Sequence, residues 1–341
     1  MGNLIDVMRA LPAWYEGHKR TLPWRGDPTA YEVWVSEIML QQTRVEAARG
    51  YFLRWMKAFP TVFDLAKADE ESVLKLWEGL GYYSRARNLY KAAKIVVERY
   101  GGELPKDKKT LLSLPGIGGY TAGAILSIAF GVAEPAVDGN VLRVVSRLTA
   151  DPFDIKDVKT RSVVADKLRP MMPEGGTSVF TQALFELGAL ICLPETPKCE
   201  ECPVSAYCLS HEQGREKEFP VRPPKKAKKE QELTVFVLSC GGKFALRKRS
   251  DKGLLAGLYE LPNREGYLTE EEVLALYDGI IQPLPEATHV FTHIIWRMRG
   301  YLIEVPFEPA EEGLFFATAE EIEEKYSLPS AFSAYKKFCK R

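Results

Sequence analysis

The chain has 341 residues, more than one ordinary globular core accommodates, so two or more domains are expected. Hydrophobic residues make up 46% and charged residues 27%, which excludes a disordered chain and leaves apolar mass for a core in each domain. Lysine plus arginine equals aspartate plus glutamate at 46 each, which weighs against a uniformly basic nucleic-acid binder, although a polyanion contact needs only one basic face.

The opening stretch MGNLIDVMRALPAWYEGHKR carries charges throughout and no signal-peptide core. No long uninterrupted apolar run follows, so no membrane span and no membrane partner are expected. The expected location is the cytoplasm, where the six cysteines do not read as disulfides and clustered ones suggest metal. Residues 31–59 form one long periodic stretch of tryptophans and aliphatics at helical spacing. Helical patterns follow at 70–78, 84–100, 106–113, 120–130 and 141–148, separated by short Gly- and Pro-containing loops. Residues 1–214 therefore read as a mostly helical region.

The segment REKEFPVRPPKKAKKEQ at 215–231 has three prolines, seven basic residues and three acidic ones, and reads as a solvated connector that can also run near phosphates. Beyond it, alternating residues at 232–239 and 243–248 flank Gly241-Gly242, a hairpin signal, and 290–305 reads as strand. Thr269-x-x-Glu272 and Thr318-x-x-Glu321 have the form of capping boxes. Residues 232–341 are thus a second domain of mixed α and β.

Cys192, Cys199, Cys202 and Cys208 lie within seventeen residues with the spacing C-x6-C-x2-C-x5-C. Four such thiolates can ligate one zinc or one four-iron cluster. Zinc sites usually come as two CxxC pairs; here only one gap is two, and the gap of six argues for the larger cubane. Cys240 and Cys339 stand apart.

This spacing resembles the cluster loop of the endonuclease III and MutY glycosylases, and the resemblance extends over nearly the whole chain. It implies a helix-hairpin-helix glycosylase region with a 4Fe-4S cluster on Cys192, Cys199, Cys202 and Cys208, followed by a Nudix-like α+β domain. The string LLSLPGIGGYTAGA from Leu111 is similar to the superfamily hairpin (about 107–131), where Gly116 and Gly118 permit a tight turn and close backbone approach. The helix that follows begins with N–H groups free to attract a phosphate.

Asp138, in PAVDGNVLRV, reads on pattern alone as a helix N-cap. The string also matches the superfamily's catalytic aspartate, an ionised carboxylate that stabilises positive charge on the sugar or bonds to it transiently, with Asn140 helping to hold the sugar or the aspartate. Glu37, in VWVSEIMLQQT, is by default a solvated helical glutamate. Its resemblance to the MutY catalytic helix implies a partly desolvated acid with a raised pKa that protonates the departing adenine. Bifunctional relatives carry a Schiff-base lysine where this chain has Tyr120; a phenol forms no imine, so the strand should be left uncut.

A base within a duplex must be flipped out to be reached. Trp24 and Arg25 of the LPWR segment, and Gln182, are the expected pocket for the flipped adenine, the amide matching adenine's donor and acceptor edge. Core packing is an equal reading for Gln182. Gln41, Thr43, Leu80 and Tyr82 fall in segments that resemble those probing the opposite base, with Tyr82 as wedge and Gln41 as gap filler, and Arg85 and Arg87 suit phosphates. Gly253 to Pro262 resembles part of a Nudix domain, but NREGYLTEEEV after it lacks the metal-binding glutamate pattern, so no pyrophosphatase activity is expected. Phe291, Thr292 and His293 stand where MutY proteins have the Phe-Ser-His triplet that senses 8-oxoguanine; threonine keeps the hydroxyl and adds a methyl.

The expected function is removal of adenine mispaired with 8-oxoguanine or guanine in double-stranded DNA, by a monomer at the nucleoid. Thymine removal from G·T mismatches by the same fold, and damage binding without catalysis, are the alternatives.

Overall fold

The computed structural model describes residues 2–221 and 227–340. Two compact units divide the chain: Met1–Lys67 with Asn88–Pro224, and Ala68–Arg87 with Lys225–Arg341. The segment 68–87, which the sequence places with the helical region, thus groups with the C-terminal residues. The reason is specific bonding: Glu71 accepts from the Tyr259 hydroxyl at 2.7 Å, and the Arg87 guanidinium donates to the carbonyl of Ala256.

The first unit is helical. Its elements are α1 (Gly2–His18), α2 (Ala30–Leu40), α3 (Val45–Ala58) and α4 (Val62–Lys67); α5 (Glu70–Leu76) and the first turn of α6 (Ser84–Tyr100) belong to the second unit. After them come α7 (Lys108–Leu112), α8 (Gly119–Ala124), α9 (Gly139–Thr149), α10 (Val158–Leu168), α11 (Thr177–Glu186) and α12 (Leu209–Glu212). The periodic stretch at 31–59 is two helices rather than one. The polar run Gln41–Arg44 ends α2, and Gln42 takes a left-handed backbone (φ 59°) that no helix continues. α2 opens on a capping box between Thr29 and Glu32, worth about 1 kcal/mol. It is buried from Val33 to Met39 on every face, as a helix that is apolar all round must be. That burial carries Glu37 into the interior.

α1, α9 and α11 share one core: Leu11, Tyr15, Val141, Val145, Phe180 and Leu184 are all buried in it. Two π-helical turns extend α8 (Ile125–Ala129) and α11 (Leu187–Ile191). Gly123 of α8 lies so close to the following segment that an added Cβ would sit 2.3 Å from the Pro135 carbonyl. This packs the second hairpin helix directly on the run leading to Asp138.

In the second unit a seven-stranded sheet is built from β1 (Lys229–Cys240), β2 (Lys243–Lys248), β3 (Tyr259–Glu260), β4 (Asn263–Glu265), β5 (Ile280–Val290), β6 (Ile294–Glu304) and β7 (Leu314–Thr318). The order is β3-β2-β1-β6-β5, with β4 on β1 and β7 on β2; β1 and β6 are parallel and the other pairs antiparallel. The hairpin at Gly241-Gly242 forms as expected, as do both capping boxes, opening α13 (Glu270–Leu274) and α14 (Ala319–Glu324). Residues 290–305 are not one strand: β5 ends at Val290, and Phe291-Thr292-His293 is the turn into β6. Leu233, Val235 and Val237 point to one core with Phe332 and Tyr335, while Phe236 and Leu238 point to another with Val273 and Tyr277, so both faces of the sheet are covered. A short helix α15 (Ser333–Lys336) brings Tyr335.

Of the connector at 215–231, residues 222–226 lie outside the described residues. On either side the structure is more ordered than the composition suggests. Phe219 is buried, Val221 bridges to Asp154, and Lys229–Gln231 already belong to β1, pairing with Ile294–Trp296.

Candidate active site

One cavity of the helical unit is lined by Trp24, Arg25, Glu37, Thr43, Tyr120, Asp138, Asn140, Gln182 and Glu186. It gathers every residue expected to act on the base or the sugar. Tyr120, from the start of α8, donates its hydroxyl to Glu37 Oε2 in a very short hydrogen bond. Burial pushes Glu37 up to about 7, opposed by the Tyr120 bond, reinforced by the nearby Asp138 charge and opposed again by Arg25. Glu37 is therefore a carboxylic acid that keeps its proton close to neutral pH. Tyr120 stays a neutral phenol, pushed well above its usual range by burial and by the two carboxylates.

Asp138 caps α9. Its Oδ1 accepts from the Val141 N–H at 2.7 Å and its Oδ2 from the Asn140 amide at 3.0 Å. Burial raises its pKa, and the Val141 and Asn140 backbone N–H groups, the Arg143 charge and the Asn140 side chain oppose that rise. Asp138 is thus the helix N-cap that the pattern implies. The bonds that cap the helix also favour the charged form and fix one rotamer. Asn140 is pressed against the π turn after α11: a Cβ on Gly188 would lie 2.7 Å from Asn140 Cβ.

Trp24 is buried edge-on against Phe52. Gln182 lines the cavity; its Oε1 accepts from Tyr15 at 3.0 Å and its Nε2 donates to Ser178 at 3.1 Å, two of the four bonds that an amide can make. Glu186 has no counterpart in the sequence reading. It is completely buried, binds Arg20 through both oxygens and Arg25 at 2.5 Å, and its carboxyl, raised by burial, is held below its usual range by those two guanidiniums. One acid inside an apolar helix, with two arginines near 20, was the available signal.

Thr43, expected near the opposite base, instead lines this cavity, whereas Gln41 donates to Thr121 at 3.3 Å and lines a groove with Gly116, Gly118 and Gly119. Gly116 needs its left-handed backbone (φ 78°) and has no room for a Cβ, which would lie 2.7 Å from Asn88 Cβ; Gly118 has an ordinary φ and caps α8.

In the second unit Tyr82 is exposed and its hydroxyl meets Thr292 Oγ1 at 2.7 Å. Tyr82, Phe291, Thr292 and His293 line one cavity; Leu80 is buried and does not line it. Gln42 and Tyr82 both hold left-handed backbones, costing about 1 kcal/mol or more each, strain that tends to collect at binding segments. Arg85 is spent on the carbonyls of Leu80 and Gly81, and Arg87 on Glu70 and Ala256, so both brace the loop.

The four cysteines line a further cavity of the helical unit with Val144, Arg147, Leu148 and Ile191. Arg147 organises it, donating to Cys192 Sγ at 3.3 Å and to the carbonyls of Leu193, Pro194, Glu216 and Phe219. Among the described residues, the set of three ligating side chains found within 4.8 Å of one another is Cys199, His211 and Glu216; no three of the cysteines approach so closely. Four thiols around one cavity make a donor set that suits a thiophilic metal or cluster.

A helical hairpin, a buried acid beside a capped aspartate, and a cysteine-lined loop together define a base-excision enzyme of the helix-hairpin-helix class. Residues 35–170 match the HhH-GPD superfamily of base excision DNA repair proteins, and residues 234–337 match the NUDIX domain. Adenine DNA glycosylases from Rattus norvegicus (37% identical over 86% of this chain and 69% of that protein), Homo sapiens (34%, 92% and 70%) and Buchnera aphidicola of Schizaphis graminum (36%, 86% and 86%) are similar to it. The chain belongs to the adenine DNA glycosylase family, hydrolases of N-glycosyl bonds. Among solved structures, a thermostable thymine-DNA glycosylase superposes with a TM-score of 0.56 at 27% identity over 61% of this chain and 95% of its own. An endonuclease III in a non-covalent DNA complex shares the fold at 24% identity, with a TM-score of 0.52 over 61% and 94%. No described helix is long and apolar enough to cross a membrane.

Proposed function

We propose that this chain hydrolyses the N-glycosidic bond of adenine mispaired with 8-oxoguanine or guanine in double-stranded DNA, and leaves an uncut abasic site. The observation that carries the reading is the carboxylate pair: buried Glu37 under the Tyr120 hydroxyl, in one cavity with Asp138. Glu37 gives its proton to a ring nitrogen of the flipped adenine, so the C1′–N9 bond breaks with its electron pair leaving on a neutral base. Ionised Asp138, oriented by Val141 and Asn140, stabilises the cationic sugar until water adds to C1′ and surrenders a proton. Trp24, Arg25 and Gln182 are the pocket for the base, with Tyr15 bonded to Gln182 and Glu186 holding Arg25.

No lysine is among the described residues lining the cavity, which supports a monofunctional reaction. Gly116 and Gly118 let the hairpin approach a phosphate. Cys192, Cys199, Cys202 and Cys208 would hold a 4Fe-4S cluster, which fixes the loop and its basic residues. Gln41, Leu80, Tyr82 and the Phe291–His293 turn act at the opposite base, and Thr43 from the cavity wall. Residues 1–214 are the catalytic region and 232–341 the lesion-reading one, and the enzyme works as a cytoplasmic monomer on the nucleoid. The thymine-removing alternative has no use for a protonated Glu37.

The test is single-turnover base release from duplexes with adenine opposite 8-oxoguanine, guanine or thymine, and thymine opposite guanine, with Glu37→Gln beside the wild type. Adenine release opposite 8-oxoguanine, lost in the variant and nicked only after alkali, is expected. Thymine release, or nicking without alkali, overturns the reading.

A further inference from the structure

The loop that carries Tyr82 is fixed at its foot by a network remote from the exposed tyrosine. Lys75 Nζ, on the last turn of α5, donates to the carbonyls of Ile322 and Tyr326 at 3.2 and 3.1 Å and pairs with Glu78 at 2.5 Å. Glu78 in turn accepts from the Leu328 N–H at 3.3 Å and from Lys336 Nζ at 3.2 Å. These three side chains are only 18, 19 and 20% exposed. Charges so far withdrawn from water are costly unless fully engaged, and breaking one partner away is strongly unfavourable.

Directly after Glu78 the chain turns through Gly79 (φ 100°) and Gly81 (φ 72°), which glycine adopts without strain, to Tyr82 (φ 49°), whose left-handed backbone persists only when its surroundings over-determine it. The other end of the network lies beside a residue that ties together the two strands flanking the turn that Tyr82 meets. Beside Lys336, the fully buried Tyr335 donates to the carbonyls of Pro285 on β5 and Met298 on β6, the two strands joined by Phe291–His293. Lys75, Glu78 and Lys336 therefore join the two probing segments from behind.

We propose that Lys75, Glu78 and Lys336 are positioning residues that hold Tyr82 against Thr292 and thereby set discrimination at the base opposite adenine. This rests on the reading that the enzyme senses 8-oxoguanine. The expected signature is a change in a ratio of rates, because a loosened wedge loses what it reads before it loses the chemistry.

Glu78→Gln and Lys336→Met, each in the full chain, are compared with wild type for single-turnover adenine release opposite 8-oxoguanine and opposite guanine, with burst amplitude counting active molecules. Each variant should lower the 8-oxoguanine-to-guanine ratio by about fivefold or more, as coupled neighbours do, and Lys336→Arg should restore it. In a Thr292→Val background Glu78→Gln should lower the ratio no further. A purely structural role would reduce the active fraction and leave the ratio per active molecule unchanged; that result, or additive losses in the Thr292→Val background, overturns the proposal. Equal wild-type rates opposite the two bases would overturn the specificity reading and the proposal with it.

Discussion

Arg143 donates to the side-chain oxygen of Asn140 at 2.9 Å, which leaves the Asn140 amide nitrogen turned to Asp138. The same guanidinium donates to the carbonyls of Gly188 and Cys192 at 2.8 Å each. An amide flips freely unless one end is spoken for. Arg143 speaks for the oxygen, so Asp138 receives a donor rather than a repelling acceptor. Arg143→Leu leaves one buried acceptor and two partly buried ones without their partner, at up to about 1–3 kcal/mol each, and frees Asn140 to turn its oxygen on the aspartate. Adenine release should fall by about a hundredfold or more, with the thermal midpoint lowered, and Asn140→Ala in the same background should add little. Independent losses would show that Arg143 does not act through Asn140.

In the proposed mechanism Glu37 links activity and stability to the same titration. Its folded pKa of about 7 lies above the ordinary 4.5 because burial disfavours its charge. A raised acid contributes stability that is fully present below the unfolded value and is lost as pH rises through the folded one. The loss therefore accrues between about 4.5 and about 7 and is complete above, on the order of 3 kcal/mol. Glu37→Gln, which cannot ionise, should be more stable than wild type at pH 8 and no more stable at pH 4, read by thermal midpoints across that range. Wild-type base release should decline by about tenfold per pH unit on the alkaline side of 7, where the proton donor is lost. A stability difference that does not grow with pH would place the titration elsewhere.

Tyr120 donates to Glu37, and a bond to the carboxylate favours its charged form. Tyr120→Phe removes that donor while keeping the ring beside Phe185. The alkaline limb should then move to higher pH, by about one unit, and the plateau rate should fall as Glu37 loses its fixed orientation. pH–rate profiles of the two proteins check this. A limb that moves to lower pH reverses the sign and removes Tyr120 from the control of Glu37.

Much of this site was legible because its residues break local rules in the linear chain. Four cysteines in seventeen positions, glycines flanking an isoleucine between helices, and an acid in the apolar run VWVSEIML stand out before any fold is known. What was not legible depends on partners far apart in sequence. Gln182 reads equally as a base contact and as core packing, and its bonds to Tyr15 from α1 and to Ser178 one turn away have no signal in the linear chain. Glu186 is not singled out in the sequence reading, because its partners Arg20 and Arg25 lie 166 and 161 residues away in the chain. The strand period also concealed a boundary. Alternation runs through 290–305, but the Phe291–His293 turn falls inside it, because hairpin register is fixed by pairing with β5 and not by β6 alone. The grouping of 68–87 with the sheet has no sequence signal, since Lys75 finds backbone carbonyls, which every residue offers.

The cysteine loop allows a decision between metals from composition alone. A single zinc on four thiolates brings no iron and no colour. A cubane separates its ligands more widely and brings visible absorption with it. Purified protein should carry about four iron atoms per chain and little zinc, and a broad band in the visible blue. Cys202→Ser should reduce the band and the iron content together. It should also weaken duplex binding more than it slows release from duplex already bound, because the loop presents contacts while Glu37 and Asp138 lie in another cavity. One zinc per chain without colour would mean that the spacing has been misread. Equal loss of binding and of release from bound duplex would mean that the loop sets the catalytic geometry, through the Arg143 bond to the Cys192 carbonyl.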